Sequence, residues 1–163
     1  MLEQECTLYA FVLGYCKLTV RDIPDADFAF QPVPGVNHPA WILGHLAVAT
    51  DYTCRLLGGP MACPKSWHQL CRPGSQLQTD RSAYPTKDEL LAAIEAGHGR
   101  ATDLVRKATA EALSKAQPGP FLVKELPTVG DLVAHLMTTH PSMHLGQLSV
   151  WRRMKGLPSA LGI

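Results

Sequence analysis

The chain has 163 residues, 46% hydrophobic and 18% charged, enough apolar material for one sizeable core and a single domain over residues 1–163. Fifteen Lys and Arg against fourteen Asp and Glu leave a formal net charge of +1 with no basic run longer than a pair such as Arg152-Arg153, which argues against a nucleic-acid partner; nor does any positive cluster mark a site for a highly anionic substrate. The two longest stretches without Asp, Glu, Lys or Arg, residues 28–50 and 132–151, are interrupted by proline, glycine or polar side chains, so no membrane span of about 20 apolar residues is expected.

Met1-Leu2-Glu3-Gln4-Glu5 carries acids where an export leader carries Lys or Arg, and the expected location is the cytoplasm. From Leu2 to about Val20, the residues Cys6, Tyr9, Ala10, Leu13, Cys16 and Val20 recur on one face, the period of an amphipathic helix. Residues 22–38 hold three prolines and read as a connection. Pro39 suits the first turn of a second helix, capped by Asn37 or His38 and stopped after Leu57 by Gly58-Gly59-Pro60. Residues 60–85 show neither a helical nor a strand period and read as a long connection of the kind that drapes over a functional site.

Thr86-Lys87-Asp88-Glu89 is a capping-box pattern that opens a third helix, whose apolar steps run through Leu90, Ile94, Ala101, Leu104 and Val105; Gly97-His98-Gly99 weakens it locally. Pro118-Gly119-Pro120 ends that region, and residues 121–126 read as a short extended segment. Thr128-Val129-Gly130-Asp131 starts a fourth, long helix reaching Lys155, with Arg152, Arg153 and Lys155 in the last turn, where positive charge complements the helix dipole. Gly156 and Pro158 follow as a stop. Four helical stretches without an alternating strand pattern predict an all-α four-helix bundle with a long connection between its second and third helices.

Seven histidines are the conspicuous excess. His140 and His144 lie about 40° apart on the fourth helix, on the same stripe as Val133, Met137, Gln147, Leu148 and Trp151, so two imidazoles one turn apart face the bundle. Pro141 between them should kink the helix by removing the backbone bond to Met137. His135, well over 100° from both, is a poor partner for the same ion. On the second helix Trp41, His45, Val48 and Tyr52 form a comparable stripe, so a single imidazole projects inward there. His45, His140 and His144 are therefore the candidate metal ligands, a set suited to Zn²⁺, Ni²⁺ or Fe²⁺ with a coordination position left open.

Gln147 and Tyr52 are placed to orient a bound water, and His98 is a candidate fourth ligand or proton carrier. Cys63, His68 and Cys71, with Cys54, form a weaker alternative zinc set whose spacing matches no standard pattern. The five cysteines include no CxxC pair and read as buried thiols. His140-Pro141-Ser142-Met143-His144 lacks the Glu of an HExxH peptidase motif, and no G-x-S-x-G elbow or phosphate-cradling glycine loop is present.

Two blocks, Asn37-His38-Pro39-Ala40-Trp41-Ile42-Leu43-Gly44-His45-Leu46-Ala47 and His135 to Leu148 with its trailing Arg152-Arg153-Met154-Lys155-Gly156-Leu157-Pro158, resemble the DinB-like superfamily in order and spacing over the whole chain. The resemblance implies an up-down-down-up four-helix bundle, commonly a homodimer, with a divalent metal held by His45, His140 and His144. Where many relatives have Glu after the first histidine of the pair, this chain has Pro141. Relatives of the superfamily include bacillithiol transferases and mycothiol-dependent isomerases, which implies a low-molecular-weight thiol as cosubstrate. Two functional classes follow. One is a metal-dependent enzyme acting on a small molecule, by thiol S-transfer to an electrophile or by hydrolysis. The other is a non-catalytic metal-binding or structural bundle, such as a stress-associated dimer.

Overall fold

The computed structural model describes residues 2–162. Its helices are α1 (Glu3–Val20), α2 (Pro39–Leu56), α3 (Lys65–Cys71), α4 (Lys87–Lys107), α5 (Ala110–Ser114), α6 (Val129–Met137) and α7 (Thr139–Met154), with short 3₁₀ turns at Asp25–Asp27 and Arg81–Ala83. Among the described residues the only β contact is an isolated bridge between Ala116 and Thr128, and no helix is long and apolar enough to cross a membrane. The fold is all-helical, as the patterning requires.

α1 and α2 each pack against α4 and against the α6–α7 pair. α2 is the central element. Buried residues run almost without interruption from Pro39 to Cys54, as expected of a helix apolar on every side. His38 caps it: its Nδ1 accepts from the Trp41 amide at 3.2 Å, which leaves Nε2–H to donate to the Gln78 carbonyl at 2.9 Å. The capping box at Thr86 and Glu89 opens α4, and the analogous pair Thr128 and Asp131 opens α6.

Four expectations are corrected. Residues 60–85 contain α3, whose Trp67, Leu70 and Cys71 give it an inward face; its seven residues, flanked by proline and glycine, are too few to show a period. Residues 121–126 form a turn, in which Leu122 adopts a left-handed φ of 55° and its carbonyl accepts from the Leu126 amide at 2.7 Å. The glycines around His98 do not interrupt α4; a Cβ on Gly97 would sit 2.7 Å from Thr50 Cγ2, so this glycine admits α2 close to α4.

The fourth helix is two helices. The chain breaks at Thr138 (φ −125°, ψ −76°), three residues before Pro141, whose ring excludes the Met137 carbonyl from a continuous helix. Pro141 itself sits in the first turn of α7, where no amide is missed. At the far end, Arg152 is buried and turns back to pair with Asp22 and donate to the Thr19 carbonyl at 2.8 Å, tying the end of α7 to the end of α1.

Candidate metal centre

The three histidines converge. One ring nitrogen from each of His45, His140 and His144 lies within 4.8 Å of the others, and among the described residues this is the one group of three or more His, Cys, Asp or Glu side chains so arranged. His45 Nε2 and His140 Nε2 are 3.1 Å apart. Four-coordinate zinc with Zn–N bonds of about 2.0–2.1 Å places ligand nitrogens about 3.3 Å apart, so this spacing fits a shared ion.

Neighbouring groups select the tautomers. His45 Nδ1 lies 2.7 Å from the Cys71 carbonyl, which can only accept, so the proton is on Nδ1 and the Nε2 lone pair faces the cluster. His144 Nδ1 lies 3.2 Å from Gln147 Oε1, an oxygen that also accepts from Asn37 Nδ2 at 3.0 Å, so His144 is oriented in the same way. This is the carbonyl or amide buttress that metal-binding imidazoles use. His140 Nδ1 is buried without a protein partner. Trp41 stacks on the His45 ring with centroids 4.8 Å apart, fixing its plane.

Local sequence explains why the carbonyl of Cys71 reaches His45. Gly44 precedes the histidine, and a Cβ there would come within 2.4 Å of Cys71 Sγ. Only glycine lets α3 lie this close on α2.

Burial disfavours protonation of all three rings. It lowers the pKa of His140 to about 3 and that of His144 to about 4, with neighbouring imidazoles adding to both shifts, and it lowers that of His45. Neutral imidazole is the form that binds a divalent ion.

The cluster opens onto a cavity of about 540 Å³, within the range of small-molecule sites. His45 and His140 are on its wall with Tyr52, and the loop Gln117–Leu122 also borders it. That loop is braced by Gln117, whose amide donates to the Phe121 carbonyl at 2.6 Å and accepts from the Gly119 amide at 2.8 Å.

The other sequence candidates take different places. Gln147 is beside His144, and Tyr52 is on the cavity wall. His98 stands outside the cluster, stacked on Tyr9 at 3.4 Å, and burial lowers its pKa to about 3. Cys63 and Cys71 do not gather with His68 into a ligand set; burial pushes both thiols up to about 12, and His68 Nε2 lies 3.3 Å from Asp51.

Three features were not singled out from sequence. Asp51 is a fully buried carboxylate on α2 that accepts from the Ala62 and Cys63 amides at 2.6–3.0 Å and pairs with Arg100 at 3.2 Å, fastening the 60–85 connection to α2 and α4. The signal was present, an acid directly after a charge-free apolar run. His135, set aside on helical phase, lines the cavity with its ring 5.7 Å from that of His140, because the break at Thr138 resets the phase. Arg55 and Arg72, seventeen positions apart, share the same cavity.

No curated protein and no solved structure matches the chain. A family model described as the DinB superfamily matches residues 17–148, which include α2 and its His45 as well as His140 and His144. With a three-histidine cluster at the positions where the bundle faces inward, and a family match across most of its length, the chain belongs to the DinB superfamily.

Proposed function

We propose that the protein is a metal-dependent enzyme of small-molecule chemistry, with His45, His140 and His144 holding one divalent ion, Zn²⁺, Ni²⁺ or Fe²⁺, and with low-molecular-weight thiol S-transfer to an electrophile, or a related hydrolysis, as its reaction. The observation that carries this reading is the cavity of about 540 Å³ on whose wall two of the three imidazoles stand. A structural site closes its coordination shell, whereas three imidazoles beside a cavity leave room for a substrate atom.

Bound there, such an ion supplies Lewis acidity that lowers the pKa of a thiol or water and presents it as a nucleophile at neutral pH. The chain's own groups do the rest. The Cys71 carbonyl and the Gln147 amide hold two imidazoles in the correct tautomer, and the mainly apolar wall limits competing water around the reacting atoms. Tyr52 and His135 stand on that wall within the same cavity and can position a substrate polar group.

The same proposal includes the up-down-down-up arrangement, with α6–α7 as one interrupted fourth helix, and a cytoplasmic location, which suits five free cysteines. It also includes a homodimer. α1 and α7 pack together and each exposes apolar residues, Leu8 and Phe11 on the first and Met143, Val150 and Met154 on the second. Light scattering is expected to give twice the chain mass, and Phe11→Glu to return it to one; a monomeric wild type refutes the dimer.

The central experiment measures metal by elemental mass spectrometry on protein purified without an affinity-metal column. Near-stoichiometric Zn, Ni or Fe in the wild type, lost in His45→Ala and in His144→Ala, is the expected result, followed by thiol-transfer assays with electrophilic acceptors. A wild type that neither carries nor takes up these ions defeats the reading and leaves a polar cluster in a non-catalytic bundle.

A further inference from the structure

The cavity beside the three histidines has an uneven electrostatic lining. Its wall includes Arg55 near the end of α2 and Arg72 directly after α3, yet no Asp or Glu borders it, although the chain has fourteen acidic residues. Neither guanidinium has a carboxylate partner among the described residues. Arg55 lies 5.8 Å from the centroid of the Tyr52 ring, a contact that leaves its donors free. The one buried acid nearby, Asp51, is not part of the lining and is engaged by Ala62, Cys63, Arg100 and His68, the last of which does border the cavity. The rest of the lining is mainly apolar, through Val48, Leu132, Leu136 and the exposed Phe121 and Leu122, with Tyr52 and His68 as uncharged or titratable polar groups among them.

We infer that the substrate of this site is an amphiphilic small anion, with a carboxylate or phosphate-like oxyanion held by Arg55 and Arg72, an apolar body on the Phe121–Leu122 wall, and its reacting end toward His45 and His140. The inference rests on the enzymatic reading for the role of the histidines, but the arginine recognition stands apart from the metal. Guanidinium groups recognise planar oxyanions through paired N–H donors. A cavity with two unpaired cations and no acid favours such a ligand over its neutral or cationic isosteres.

The test is calorimetric titration of the protein as purified with 4-phenylbutanoate, its neutral amide, and phenylphosphonate; the two anions distinguish a carboxylate from a phosphate-like head. At least tenfold tighter binding of one anion than of the amide is expected, with the preference lost in the Arg55→Gln/Arg72→Gln double variant. Both side chains are exposed and form no ion pair among the described residues, so that variant should keep the wild-type melting temperature.

Equal binding of the anions and the amide, or no binding of any probe at millimolar concentration, overturns the inference. So does an anion preference that survives the double variant and vanishes in His144→Ala, which would place the head at the histidines. An arginine-dependent preference in protein that takes up no metal supports the anion site while defeating the metal-enzyme reading, so the two failures are distinguishable.

Discussion

Helix α2 brings one imidazole to the centre from a helix buried on nearly every side, whereas α7 brings two from a helix exposed along much of its length and separated from α6 by the break at Thr138. The first wall is pinned at both ends and along its flank. His38 ties its start to Gln78, the Cys71 carbonyl fixes the His45 ring, and Asp51 fastens the following connection. The second wall is held along one face, through Pro141, Leu145, Leu148 and Trp151, and fastened at its far end by Arg152 on Asp22 and Thr19. A site built in this way has one imidazole in a rigid frame and two on a helix that is packed along one face. Close-packed interiors resist displacement, while a helix packed on one side does not.

Breaking the rigid wall should have the largest effect. Asp51→Ala removes the acceptor for two amides and a partner of Arg100, whose Nε is already buried without a hydrogen bond. A loss of about 3 kcal/mol is expected in urea denaturation, because the replacement leaves buried donors and a cation uncompensated. The mechanism is a disturbance of α3 and the 60–85 connection, so hydrogen exchange should accelerate there before it does in α1. A loss below about 1 kcal/mol would mean that the connection is held by its apolar contacts alone.

Acid tests the more exposed wall. Burial holds the folded His140 near a pKa of 3, with neighbouring imidazoles contributing, against about 6.5 for an unfolded histidine. Below about pH 6.5 the unfolded chain takes up protons that the folded one refuses, so stability falls with decreasing pH until the folded groups titrate near pH 4 for His144 and pH 3 for His140. Above pH 6.5 both states are neutral and the term vanishes. For metal-free protein at pH 4.5, His140 alone should account for about 2–3 kcal/mol. His140→Ala should flatten the decline in melting temperature between pH 6.5 and 4.5, and because ordinary carboxylates begin to titrate at the lower end of this window, the variant is compared with the wild type at each pH. Parallel wild-type and variant curves would show that His140 is protonated freely in the folded state.

The same contrast explains what could be read from residues alone. Helical phase on α2 was legible because a long, uniformly buried helix follows 3.6 residues per turn, and it carried His45 to the site. His140 and His144 were legible because they fall within one unbroken turn of α7. His135 was not, since phase counted through Thr138 assumes a continuity that Pro141 forbids. α3 escaped because seven residues between prolines show too little period, and with it escaped the Cys71 carbonyl, a backbone group that no side-chain motif reports. Arg55, Arg72 and His68 meet only through the path of the 60–85 connection, which local patterning does not specify.

A pair of glycines offers the finest test, one on each wall. At Gly44 a methyl group would meet Cys71 Sγ at 2.4 Å, while at Gly146 nothing lies within 4 Å. Gly44→Ala gains helix propensity but must push α3 off α2, for a net destabilisation of about 1–2 kcal/mol. Displacing α3 also draws the Cys71 carbonyl from His45 Nδ1, so zinc affinity measured by chelator competition should fall about tenfold or more. Gly146→Ala meets open space on an exposed face and should stabilise by up to about 1 kcal/mol with zinc affinity unchanged. Opposite signs in the two variants are the signature of one constrained and one open wall. If Gly44→Ala keeps both stability and zinc affinity, the close approach of α3 is not what orients His45, and the buttress must lie in the stacked Trp41 ring instead.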